Sequence, residues 1–304
     1  MEYILETQNL IKRYKNGKAL NGLTMRVEKG AIYGFVGRNG AGKTTLIRLV
    51  CGLQEPTEGT FTLYGCANKS KEITKARRRM GAVVETPSIY LAMTAEENLR
   101  QQYQILGLPD GEGLHELLEL VRLQNTGKKK ARDFSLGMRQ RLGIAVALAG
   151  DPDFLILDEP ANGLDPQGIV EIRELILRLN RERQITVLIS SHILDELSRL
   201  ATHYGFIDNG RMVKELSAAE LEANCRKCLR LAVSDARPLA AALDKMGLEY
   251  AVRSDTEVDV YEAPSVTELT LALHSAGCEV KNIREHDESL ESYYMNLVGG
   301  GSDD

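Results

Sequence analysis

The sequence lacks the basic excess expected of a protein whose main partner is nucleic acid. Its 304 residues carry 38 lysines and arginines against 43 aspartates and glutamates, a formal net charge of −5. Proteins that neutralise phosphate backbones usually carry a basic face. The short basic runs at Arg77-Arg78-Arg79 and Lys128-Lys129-Lys130 read as solvated surface. Also missing is any apolar run near the ~18 residues that would span a bilayer. The best stretch, LGIAVALAG from Leu142 to Gly150, reads as a buried helix, and the opening MEYILETQNLIKRYKNG has no basic-then-apolar leader. The expectation is a soluble, cytoplasmic chain that reaches a membrane only through another polypeptide. There is no disulfide framework either. Five cysteines, an odd number, suit a reducing compartment. Cys225-Arg-Lys-Cys228 has half of a zinc-site spacing, with His274 and Cys278 as partners to consider, but free thiols are favoured on topological grounds given below. No internal repeat is present.

What is present is an alternation of strand and helix signals. Between Tyr3 and Gly34, ILETQNL and ALNGLTMRVEKG read as short strands joined by Gly/Asn turns. Ala31 to Val36 is a continuous apolar strand, and Lys43 to Leu53 has helical spacing. Thr94 and Glu97 form a capping box opening a helix to about Leu106. Further helices are expected from roughly Glu112 to Leu123 and after Ser135. FLILD (Phe154 to Asp158) and ITVLISSH (Ile185 to His192) are buried strands flanking a helix from Gln167 to Arg183. Such alternation implies an α/β fold with a largely parallel sheet. Asn209-Gly210 marks a type I′ hairpin.

After a boundary near Ser217 to Asn224, the order strand–helix–strand–strand–helix–strand suggests a small α+β, ferredoxin-like domain. A last helix, Ser289 to Val298, precedes a flexible GGGSDD tail. In that topology Cys225 and Cys228 lie at one end of the sheet, and His274 and Cys278 at the other. The expected domains are 1–216 (with a helical subdomain at about 86–150), 225–298, and a tail at 299–304.

Chemistry concentrates in FVGRNGAGKTT, from Phe35 to Thr45. Glycines at 37, 40 and 42 let backbone N–H groups of the loop, through Asn39 and Ala41 to Thr45, turn toward a polyphosphate at a helix N-terminus. Lys43 would reach the β- and γ-phosphates, and the Thr44 hydroxyl would ligate Mg²⁺. LILDEP places Asp158 at a strand end for the metal and Glu159 beside it as general base for an attacking water. The expected ligand is a nucleoside triphosphate that is hydrolysed.

At this point the sequence resembles the ATP-binding-cassette (ABC) ATPases. FSLGMRQR (Phe134 to Arg141) is similar to their signature motif, ANGLDP (Ala161 to Pro166) to the D-loop containing Asp165, and SSH to the segment ending in the switch histidine, His192. Tyr14 stands where the family stacks an aromatic ring on adenine. The likeness runs in order from Tyr3 to Lys214. It implies an ABC-ATPase cassette: a RecA-like parallel-sheet core, an N-terminal antiparallel β subdomain and an α-helical signature subdomain. It also implies ATP and Mg²⁺ as ligands and a head-to-tail homodimer, in which Ser135 and Gly137 of one copy close over the γ-phosphate held by the other.

Two departures stand out. Leu136 and Met138 replace the first glycine and the glutamine of the signature, while Ser135 and Gly137 are kept. Glu85, in VVETPSIY, stands where a glutamine is usual, as a ligand of Mg²⁺ or an orienter of water that adds negative charge beside the γ-phosphate; the alternative is that it faces solvent. With the added small domain, these features resemble the bacitracin/lantibiotic-resistance branch of exporter ATPases, implying a separately encoded membrane permease. A soluble ATP switch acting on ribosomes or DNA is the alternative. One phosphate loop and only short intervening helices count against it, and no nucleic-acid partner is expected.

Overall fold

A hairpin longer than the sequence suggests opens the computed structural model. Strands β1 (Tyr3–Tyr14) and β2 (Gly17–Glu28) run through the Asn/Gly positions that read as turns. Asn9 (φ 48°) and Gly22 (φ 83°) take positive φ, and the pairing register shifts between Thr7 and Leu10. These residues therefore serve as bulges that bend the hairpin without ending it. The structure describes residues 2–109, 113–224, 228–261, 269–271, 273, 278–286, 293–295 and 297. They fall into two units, Met1–Ala218 and Ala219–Asp304.

In the first unit the hairpin is followed by β3 (Ile32–Val36), α1 (Lys43–Val50), β4 (Glu58–Leu63), β5 (Cys66–Ala67), α2 (Ile73–Arg77) and β6 (Met80–Val83). The helical middle contains α3 (Ala95–Leu106), α4 (Leu114–Leu120) and α5 (Leu136–Leu148). Then come β7 (Phe154–Asp158), α6 (Pro166–Arg183), β8 (Thr186–Ser191), α7 (Leu194–Ser198), β9 (His203–Asp208) and β10 (Arg211–Ser217). An antiparallel sheet has the order β2-β1-β4-β5, and a six-stranded sheet the order β10-β9-β3-β8-β7-β6. In the latter only the β9–β10 pair is antiparallel. The two sheets sandwich α1: Leu46, Ile47, Leu49 and Val50 pack with Leu20 and Leu23 of the hairpin and with Phe35, Phe154 and Leu188 of the parallel sheet. Each such buried side chain contributes about 1.5–3 kcal/mol, so the first helix is clamped from both sides.

Several boundaries have local causes. Helix α1 stops at Val50, short of the expected Leu53, because Gly52 turns left-handed (φ 78°) and leaves Leu53 exposed. Helix α3 has the capping box, with Glu97 N donating to Thr94 Oγ1 (3.1 Å) and Thr94 N to Glu97 Oε2 (2.6 Å), and ends on left-handed Gly107. Helix α4 is shorter than expected, and residues 110–112 lie outside the described set. Asn209 (φ 46°) and Gly210 (φ 75°) make the tight β9–β10 turn that their pairing predicts. No helix among the described residues is long and apolar enough to cross a membrane.

Helix α8 (Ala218–Asn224) begins at the boundary, and the second unit continues with β11 (Cys228–Val233), α9 (Ala236–Met246), β12 (Tyr250–Ser254), β13 (Glu257–Tyr261) and β14 (Val280–His286). Its antiparallel sheet, ordered β12-β13-β11-β14, has the ferredoxin-like strand order. Within the expected second helix, 269–271 and 273 are helical, and Leu269 and Leu273 pack under the sheet. The expected final helix is described only at 293–295 and 297. In the β11–β14 register Cys228 opposes His286 while Val233 opposes Val280, so Cys278, just before β14, lies at the other end of the sheet from Cys228. Cys225 and His274 lie outside the described residues. Among the described residues no group of three His, Cys, Asp or Glu side chains is placed to hold a metal.

Asp259 stands buried between two arginines. Arg230 Nε donates to Oδ1 (2.6 Å), and Arg253 Nε to Oδ2 (2.7 Å). Burial opposes its charge, but the two guanidiniums more than offset this and hold the carboxyl at about 2. A depressed carboxyl stabilises the fold above its unfolded titration and loses that contribution as pH falls through the folded value. The second unit is therefore expected to lose on the order of 2 kcal/mol between roughly pH 4 and pH 2. Asp259→Asn should flatten that acid limb in a pH-resolved thermal melt while lowering stability at neutral pH; an unchanged limb would assign the acid transition to other groups.

Candidate active site

Three parallel strands end side by side, with Val36 beside Ser191 and Ser190 beside Asp158. Ligand sites of parallel sheets lie beyond such carboxyl ends. The phosphate loop leaves β3 there. A Cβ at Gly37 would meet the Ile207 carbonyl oxygen at 2.6 Å, and one at Gly42, whose φ is +113°, would meet the Ala19 oxygen at 2.5 Å. Both positions thus exclude side chains. Gly42 caps α1 without any side-chain hydrogen bond, so the first N–H groups of that helix are not taken by a cap. From below, the β9–β10 turn holds the loop: Gly210 N donates to Ala41 O (2.9 Å), and Asn21 N to Gly210 O (2.8 Å).

Lys43, 6% exposed, is the loop's buried charge. Its Nζ donates to Gly37 O (2.5 Å) and Arg38 O (3.3 Å) and lies 3.1 Å from Glu159 Oε1. His192 Nδ1 meets the other carboxylate oxygen of Glu159 at 2.7 Å. Glu159 itself takes positive φ (49°), with its N–H donating to Ser190 O (3.2 Å) and Ser190 Oγ (3.0 Å). The Ser190 hydroxyl in turn donates to Asp158 Oδ1 (2.6 Å). Asp158 is 1% exposed, and its Oδ2 has no hydrogen-bond partner. A buried, unmatched carboxylate oxygen is costly and suits a hard divalent cation that prefers oxygen ligands. Thr44 lies on the first turn of α1, which packs on β7, the strand ending in Asp158.

The structure thus brings together Lys43, Asp158, Glu159 and His192. Glu85, with φ 60°, makes an ion pair with Arg48 on α1. Ser135 caps α5 by accepting from Met138 N (3.2 Å), and the neighbours of Gly137 are Leu164 and Gly168. Asp165 caps α6 by accepting from Gly168 N (2.9 Å). Tyr14 is 43% exposed at the end of β1. Asn39 and Gly40 are exposed on the loop, and Thr44 and Thr45 are half-buried behind it.

Four contributors went unread in the sequence. Ser190 joins both acidic residues; its signal was a pair of serines closing a strand with an apolar centre. Gly210 read only as a turn, and Ile207 only as a strand residue. Glu196 on α7 was also missed; burial first, and then the negative charge of Glu159, push its carboxyl above the ordinary value, while His192 pulls it down.

The ABC transporter profile matches residues 20–162. The bacitracin transport ATP-binding protein of Bacillus licheniformis is 42% identical over 99% of each chain. That of Enterococcus faecalis is 39% identical over 99% of this chain and 98% of its own. A lantibiotic transport ATP-binding protein of Streptococcus pyogenes is 41% identical over 70% of this chain and 90% of its own. Among solved structures, a Clostridium perfringens subunit of an ABC transporter complex aligns with TM-score 0.65 and 27% identity, over 73% of this chain and 92% of its own. A dimeric post-hydrolysis cassette bound to ADP and phosphate aligns with TM-score 0.63 and 26% identity, over 70% and 98%.

Ser190→Ala removes the hydroxyl that holds Asp158 and the Glu159 amide. ATP hydrolysis is expected to fall by on the order of tenfold or more, as for other residues that orient ligating groups. A steady-state rate beside a thermal melt checks this: an unchanged rate in a folded variant would remove Ser190 from the site.

Proposed function

We propose, for a chain that belongs to the ABC transporter family of ATP-binding proteins, that it hydrolyses ATP between two head-to-tail copies of itself. Through this it drives a separately encoded membrane permease that exports a peptide antibiotic. One observation carries the reading: Lys43, Asp158, Glu159 and His192 converge at the ends of three strands in a chain related end to end to bacitracin transport ATP-binding proteins. In this arrangement Lys43 exchanges the Glu159 carboxylate for β- and γ-phosphate oxygens, and the loop amides and the start of α1 hold the remaining charge. Thr44 and Asp158, through its unpartnered oxygen, would hold Mg²⁺, which supplies charge neutralisation across the phosphates. Glu159, released by Lys43, accepts a proton from the attacking water. His192, already against Glu159, senses the γ-phosphate. The capped start of α5 at Ser135 and Gly137, with its helix dipole, closes over the site of a second copy.

A groove of about 500 Å³ supports a permease-docking surface. Met80, Gly81 and Val83 of the edge strand β6 line it with Gln102 and Leu106 of α3 and Gly143 of α5. Tyr90, Leu91, Ile105, Leu106 and Leu108 nearby are large apolar side chains left exposed, as at surfaces that receive a partner. The segment 85–107, running from Glu85 into α3, would then couple the γ-phosphate site to a cytoplasmic helix of the permease. The protein would work in the cytoplasm, on the inner face of the membrane.

Glu159→Gln should bind ATP, hydrolyse it at least a hundredfold more slowly and accumulate as a dimer in gel filtration with ATP and magnesium. A variant that stays monomeric with the permease present would refute the two-copy mechanism. Leu106→Arg should keep its melting temperature yet fail to copurify with the permease; undiminished copurification would move the docking site elsewhere.

A further inference from the structure

Tyr14 is held by more than its strand. Its hydroxyl donates to Gln54 Oε1, a contact spanning 40 residues of sequence. Gln54 lies in the turn after α1 and is fixed to that helix: Leu53 N donates to Arg48 O at 2.9 Å and Gln54 N to the same oxygen at 3.3 Å. The next residues are stitched to the hairpin, with Thr57 N donating to Ile11 O (2.8 Å) and Arg13 N to Thr57 Oγ1 (3.0 Å). Lys12 Nζ donates to Glu55 O (2.7 Å) and stands 5.5 Å from the centre of the Tyr14 ring. The ring is therefore tied at its hydroxyl, has a cation near it, and remains 43% exposed.

We propose that Gln54 is a positioning residue for nucleotide binding: by fixing the Tyr14 hydroxyl it sets the ring as a base platform at a constant distance from the phosphate loop. This rests on the reading of Tyr14 as the residue that stacks on the base. The linkage is short. Helix α1 begins at Lys43 and Thr44, and the turn fixed to its last residues carries Gln54. Base and phosphate subsites thereby share one rigid element. Because the Tyr14 hydroxyl gives its one proton to Gln54 Oε1, the ring offers a π-face and no donor to a base edge. Aromatic stacking of this kind tolerates any base.

The test is equilibrium binding of three probes, ATP, GTP and inorganic tripolyphosphate with magnesium, to the full-length chain and to Gln54→Ala, Tyr14→Phe and Tyr14→Ala. Tyr14→Ala should weaken ATP by about five- to 150-fold, the range of base–aromatic stacking. Gln54→Ala and Tyr14→Phe should each weaken ATP by about two- to twelvefold, the worth of one hydrogen bond. Their combination should do no more than either alone, GTP should follow ATP within a few fold, and tripolyphosphate should bind every variant equally. If Tyr14→Ala weakens ATP while Gln54→Ala and Tyr14→Phe do not, the positioning role falls and the base platform stands. If Tyr14→Ala changes nothing, the platform itself falls. Equal loss of tripolyphosphate in Gln54→Ala would place its effect on the phosphate loop and overturn the proposal.

Discussion

A buried ammonium organises this molecule. Lys43 is almost wholly enclosed, and a cation taken out of water must be matched by nearby charge and dipoles. Two loop carbonyls and the Glu159 carboxylate do this. Around Lys43, β7 ends at Asp158 with Glu159 directly after, and Ser190, near the end of β8, bonds both Asp158 and the Glu159 amide. The cluster is better understood as a poised exchange of anions than as a stabilising bridge. Buried pairs add little net stability, yet removing one partner alone is expensive. In the proposed function, the ligand that replaces Glu159 at Lys43 is itself anionic, and its arrival would free a base.

The loop's geometry depends on residues distant in sequence. Gly37 and Gly42 lack Cβ atoms because Ile207 and Ala19 occupy that space. The β9–β10 turn reaches under the loop through Gly210. The phosphate loop is thus a shape imposed by its neighbours as much as by its own glycines, and the long bulged hairpin contributes to that shape through Ala19 and Leu20.

Much of this was legible beforehand, and for a physical reason. The loop, the acid pair and the capping box are local patterns whose chemistry is complete within a few residues. Parallel strands such as Phe154–Asp158 read as apolar runs because both of their faces are buried. What escaped was non-local. The hairpin β1–β2 looked like several short strands because bulges at Asn9 and Gly22 imitate turns. The edge strand β6 is too short for its periodicity to stand out. Ser190, Gly210 and Glu196 acquire meaning only when strands far apart in sequence become neighbours, and the direction of the Glu85 side chain depends on an arginine 37 residues earlier.

That arginine has a consequence of its own. At the position where the resemblance to the ABC ATPases implies a glutamine, this chain has a carboxylate, paired with the Arg48 guanidinium on α1, so the two charges of this corner cancel. Both side chains are partly open to solvent, and exposed ion pairs weaken as dissolved electrolyte rises. This corner is therefore tunable by ionic strength, because salt decides how firmly Glu85 is kept to the side of the first helix.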